Sequence, residues 1–141
     1  MTTLLAFDFG EVRIGVAVGT TELAIPHPVE TIAFEDNERR FARIGELIAQ
    51  WQAQRLVVGL PMYLDGNEHE LSRLARKFAN RLQGRFGLPV DLVDERLSSA
   101  AATQALNETG VRGRKQKPAL DQVAAMQILQ SWFDSGGTGK I

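Results

Sequence analysis

The stretch that most limits what this chain can fold into is LLAFDFGEVRIGVAVG, residues 4 to 19. Residues 3 to 9 and 13 to 19 are two runs rich in Leu, Phe, Ile and Val, with Gly10 supplying a tight connection, and they predict a β-hairpin. Asp8 stands inside the first run, among Leu4, Leu5, Phe7 and Phe9. A carboxylate removed from water needs hydrogen bonds, a cation or a metal to offset its desolvation. The hairpin therefore carries a charge that the rest of the fold must accommodate.

The remainder of the chain alternates. HPVETIAF, residues 27 to 34, reads as a third strand, and Pro26 and Pro28 point to an edge or a strand entrance. From Asp36 the period changes to helical, with Phe41, Ile44, Leu47, Ile48 and Trp51 on one face, Asp36 as N-cap and an end near Gln54. RLVVGLP is an apolar run expected of a strand covered on both faces and stopped by Pro61, and MYLDGNEH is a loop with an Asp-Gly turn. A second helix from about Glu68 to Arg85 follows, then the strand VDLVDE, then a helix in SSAAATQALNETG with Ser98 or Ser99 as cap. Pro118 suits the first turn of a last helix, Ala119 to Phe133, before the tail SGGTGKI. Trp51 and Trp132 both fall on apolar helix faces and read as core.

This order predicts an α/β protein: a mixed five-stranded sheet, antiparallel at the front and parallel at the rear, flanked by helices. We expect one domain over residues 1–134 and a flexible tail over 135–141, with no repeat or linker. No apolar run approaches the roughly 20 residues of a membrane helix, and MTTLLAFDFG lacks a basic segment followed by a cleavable apolar one, so the expectation is a soluble cytoplasmic protein. The 141 residues include no cysteine, which excludes disulfides, thiolate metal sites and cysteine nucleophiles. A formal charge of -1 offers no global attraction to nucleic acid, so such a partner needs a local basic patch. VRGRKQKP, residues 111 to 118, has four cations and no acid and is the candidate.

Asp8 has potential company. Asp94 and Glu95 stand at the C-terminal end of the fifth strand, and Asp121 stands in the expected first turn of the last helix. Functional sites in open sheets gather where strand ends meet helix starts, so these places can converge. Carboxylates without Cys or a His pair would make an oxygen-only site, suited to Mg²⁺ or Mn²⁺. Two such ions about 4 Å apart can drive in-line displacement at a phosphodiester, which is nuclease chemistry. Successive strand side chains face opposite ways, so only one of Asp94 and Glu95 can enter the site, and we choose Glu95. Plainer accounts exist for each acid: a turn carboxylate at Asp8, a helix-dipole acid at Asp121, and a surface ion pair of Arg96 with its neighbours.

Together, AFDFGEVRIGVAVG, VVGLPMYLDGN, VDERLSS and LDQVAAMQILQ resemble the YqgF/RuvX family of small bacterial proteins, in the same order and over residues 4 to about 133. The resemblance implies a ribonuclease H-like fold and a nuclease. Two activities are implied: maturation of the 5′ end of the 16S ribosomal RNA precursor, and resolution of Holliday junctions. The family's acidic positions fall on Asp8, Glu95 and Asp121, the metal-binding and catalytic candidates. Two positions depart from the pattern. The pair before Arg13 is Glu11-Val12, where the family often carries a basic residue, and the position three after Asp121 is Ala124, so the set has three acids where junction resolvases of the RuvC type have four.

Substrate contacts are expected from Arg13 and Arg96 and from the basic loop through Arg112, Arg114, Lys115 and Lys117. His27 and His69 each lack a second histidine at ligand spacing and read as structural or exposed. The partner is nucleic acid, either structured RNA such as pre-16S rRNA or branched DNA, bound by a monomer or weak homodimer. Two further readings compete: a nucleotide-binding module, disfavoured because such folds use two domains, and a non-catalytic RNA-binding assembly factor.

Overall fold

The computed structural model describes residues 2–10, 12–33, 36–60, 70–94 and 116–135, with side chains of 116–120 excepted. The expected hairpin is β1 (Thr3–Phe9) and β2 (Ile14–Thr20), antiparallel, with Asp8 opposite Gly15. β3 (His27–Ile32) pairs antiparallel with β2 at the sheet edge, where Pro28 has no N–H to waste, and the register shifts between Val16 and Ala17. β4 (Arg55–Leu60) and β5 (Val90–Asp94) run parallel to β1, completing the order β3-β2-β1-β4-β5. The sheet is mixed, antiparallel in front and parallel behind, as the sequence pattern predicts. The loop 61–69, the expected helix over 98–110 and the tail 136–141 lie outside the described residues.

Strand alternation divides the side chains between two apolar layers. Leu5, Phe7, Val16, Val18, Leu56 and Val58 face α1 (Asn37–Trp51) and α2 (Glu70–Phe86), which return Phe41, Ile44, Leu47, Phe78 and Leu82. Phe7 meets Phe78 edge to face, with ring centroids 6.0 Å apart. Leu4, Ala6, Val57 and Val93 face α3 (Gln116–Asp134), which contributes Ile128, Leu129 and Trp132. Each such side chain, fully buried, contributes about 1.5–3 kcal/mol relative to exposure, so the sheet is held from both sides.

The helix ends follow local chemistry. The Asp36 side chain accepts from the Arg39 N–H at 2.8 Å, capping α1 as expected. At the other end, Gln52 takes the left-handed conformation, φ 53°, and its N–H returns to the carbonyls of Ala49 and Ile48. This reversal corrects one expectation: Trp51 is the last residue of α1, where the chain leaves the helix, and it is 39% exposed instead of core. Arg43 on α1 forms a two-pronged ion pair with Glu30, Nε–Oε2 2.9 Å and Nη2–Oε1 2.6 Å, tying the helix to the edge strand. Those bonds and Glu46 hold the Arg43 pKa above its usual value. Among the described residues no helix is long and apolar enough to cross a membrane.

At the N-terminal ends of the parallel strands a buried carboxylate pins α3. Asp91 on β5 is 3% exposed and accepts from Arg55 Nη1 at 3.1 and 3.0 Å and from the Trp132 indole N–H at 2.6 Å. Replacing Trp132 with Phe keeps most of the apolar volume but removes one of these donors. We expect a loss of about 1–3 kcal/mol, seen as a lower urea midpoint with an unchanged m-value.

Candidate active site

The site begins with a stripe of small residues. On β2, Gly15, Ala17 and Gly19 face α3, while Val16 and Val18 face the other layer. A Cβ added at Gly19 would come within 3.0–3.1 Å of the Leu129 and Phe133 side chains. At Gly15 it would clash with the Asp121 carbonyl oxygen and lie 2.9 Å from the Asp121 Cβ. Only the absence of a side chain allows the backbone of α3 to sit this close to the sheet.

That approach sets the positions of the acids. Thr31, Gly15 and Asp8 form one cross-strand row over β3, β2 and β1. Directly opposed residues in antiparallel strands project to the same face, so the Asp8 carboxylate lies on the side on which Asp121 rests against Gly15. The alternation of Leu4 and Ala6 toward α3 gives the same face for Asp8. Gln122 Nε2 donates to Thr31 Oγ1 at 3.3 Å, anchoring the helix over the far end of the row. Both Asp8 and Asp121 are half-buried.

Arg13, immediately before β2, donates from Nε to Asp121 Oδ2 at 2.9 Å, with the two side chains 32% and 20% exposed. A charge-assisted bond at a partly covered position fixes the carboxylate more firmly than an exposed pair would. Asp121 is not, as expected, in the first helical turn. α3 begins at Gln116, so Asp121 is its sixth residue, and Pro118 is accommodated within the first turn because a proline there forfeits no intrahelical bond. The helix dipole therefore gives no account of this acid, whereas Arg13 and the packing at Gly15 do.

The structure thus brings together Asp8, Asp121 and Arg13. It places Asp94 on the face of Val90 and Leu92, opposite to Asp8, by strand alternation. Glu95, Arg96, Arg112, Arg114 and Lys115 lie outside the described residues, as does His69, and Lys117 is in the first turn of α3 with its side chain outside them. His27 is exposed on β3. Sequence reasoning missed Gly15, because its partner is 106 positions away and only the pattern Gly-x-Ala-x-Gly in β2 hinted at a close-packed face. Gly15→Ala should force α3 outward, lowering stability by about 2–3 kcal/mol in urea unfolding. An unchanged midpoint would mean that α3 rides higher above β2.

Two acids from separate elements, at the strand ends where parallel sheets place their sites, form an oxygen-only donor set. The described residues alone assemble no cluster of three metal-binding side chains.

A family model described as "RuvX: Holliday junction resolvase" matches residues 2–135. A protein of Chromobacterium violaceum named "Putative pre-16S rRNA nuclease" is 65% identical over 135 residues, covering 95% of this chain and 98% of that relative. One of the same name from Methylobacillus flagellatus is 63% identical over 131 residues, covering 93% and 90%. Among solved structures, T. thermophilus RuvC in complex with a Holliday junction substrate superposes with a TM-score of 0.64 at 15% identity, covering 99% of this chain and all of the other. That likeness shows the fold, which is similar to that of RuvC.

Proposed function

The chain belongs to the RuvX family, and on that premise we propose that it is a metal-dependent nuclease that hydrolyses phosphodiester bonds of pre-16S rRNA, in 5′-end maturation in the cytoplasm. The observation that carries the reading is the meeting of Asp8 and Asp121 across Gly15. The names of the relatives support the substrate.

In this reading Asp8, Asp121 and Glu95 hold Mg²⁺ or Mn²⁺. The donor set fits: hard carboxylate oxygens, carried by β1 and α3 to one face of the sheet, with no cysteine in the chain to favour a softer metal. When bound, the cation supplies positive charge that offsets the anionic transition state of phosphodiester displacement. The protein's own contribution is position. The β1 ladder on both sides fixes the backbone of Asp8, so its carboxylate needs little reorganisation. Arg13 orients Asp121 through Nε and leaves its two Nη groups to meet a phosphate oxygen. Arg96 and the loop cations Arg112, Arg114, Lys115 and Lys117 grip the backbone that enters the site.

A second reading, cleavage of four-way DNA, draws on the description of the family model that matches the chain. It requires two symmetric cuts and hence a dimer. One assay separates them: a labelled ribosomal RNA precursor spanning the 5′ maturation site and a labelled four-way DNA junction, each with Mg²⁺ or Mn²⁺. We expect cutting of the RNA, abolished by chelation. Asp8→Asn should lower the rate at least about 100-fold, and Arg13→Ala about tenfold, because the latter loosens a ligand without removing one. Cutting of the junction alone would select the second reading. Equal cutting by Asp8→Asn would sink both.

A further inference from the structure

The α2 sequence ELSRLARKFANRLQGRF carries five cations and one acid, an excess that neither the sheet nor the carboxylate site explains. Arg73, Lys77, Arg81 and Arg85 follow each other at intervals of four; Arg73 pairs with Glu70, and the other three form one stripe along the helix. Like charges at this spacing destabilise a helix, and among the described residues neither Lys77 nor Arg81 has a carboxylate partner. In a chain whose net charge is -1, the stripe is a local concentration of positive potential.

The stripe borders a cavity. Between α1 and α2 lies a pocket of about 260 Å³, lined by Asn37, Arg40, Lys77 and Arg81 among others, and a more open hollow continues it toward Arg85. Arg40 is 5% exposed, and desolvation pulls its pKa below the usual arginine value. The Arg85 guanidinium sits 4.7 Å above the Phe41 ring, which holds its plane in place while its N–H groups stay accessible. Phe41 and Phe78 line the same pocket but are only 4% exposed, and the half-buried Phe9 ring is itself engaged with Phe78, centroids 4.8 Å apart, so the aromatic lining is spent on internal packing. The chemistry suits phosphate, not bases.

The pocket also reaches the strand end that carries Asp8. Phe9 lines it and follows Asp8 directly; their side chains leave β1 on opposite faces of the sheet at the same strand end. A strand of nucleic acid passing over this rim would meet Asp8 on one side and the cationic stripe on the other. We propose that the α1–α2 groove binds the phosphates of the RNA segment flanking the cleavage point, a contact surface separate from the basic loop. The inference rests on the nuclease reading above.

The test is fluorescence anisotropy of a labelled single-stranded RNA, the 5′ flank of the ribosomal precursor, titrated with the full chain over a range of salt concentrations. Lys77→Ala/Arg81→Ala is compared with Arg39→Ala/Arg76→Ala, which removes the same charge from positions that line neither hollow. We expect the groove pair to weaken binding at least about tenfold and to lower the salt slope by about 1.4, at about 0.7 per lost phosphate contact, with the control pair close to wild type. Thermal melts verify that both pairs fold. Equal weakening by both pairs would show a net-charge effect and overturn the groove. Wild type that cuts RNA while the groove pair keeps its affinity and slope would overturn the groove alone. Wild type that binds no RNA would overturn the groove and the nuclease reading together.

Discussion

Everything about the candidate site depends on how near α3 can come to β2. The stripe Gly15, Ala17 and Gly19 removes the side chains that would otherwise hold a helix about 10 Å from a sheet. With the helix lowered onto the strand, Asp121 sits beside the residue that Asp8 faces across the ladder. The carboxylates meet because of backbone contact, which is less deformable than side-chain packing. Arg13 supplies local positive charge to this face through its bond to Asp121.

The two layers on either side of the sheet serve different ends. The α1–α2 side is conventional core, rich in Phe and Leu, and closes over β1 through Phe7 and Phe9. Among the described residues the apolar cluster on the α3 side is the smaller of the two, and that side adds polar bonds at both ends: Gln122 to Thr31 near the acids, and Trp132 to Asp91 at the far side.

Much of this was legible in the sequence, where local rules suffice. The hairpin, the proline-marked edge strand, the apolar β4 and the Asp36 cap all follow from period and turn chemistry. Asp8 could be singled out by residue type and by its place at a strand end, and Asp121 by residue type, although it lies deeper in its helix than the pattern suggests. What was not legible came from tertiary contact. Asp91 looks like one more polar residue in VDLVDE until β5 is set beside β4 and Arg55 arrives next to it. Trp51 has the right period for the core but lies where α1 runs out. The start of α3 was placed three residues late, since a proline marks a helix beginning without saying which of its first positions it holds.

The two polar attachments of α3 have a geometric consequence. Asp121 and Trp132 are eleven residues apart, about three full turns and roughly 16 Å of helix, so both project toward the sheet from the same side of the axis. Because Trp132 is tethered by Asp91 and Asp121 by Arg13, the helix acts as a ruler with both ends clamped. A residue gained or lost between them would rotate one end by about 100° relative to the other. The chain can vary the chemistry of the intervening positions, but it cannot vary their number without unhooking either the anchor or the acid.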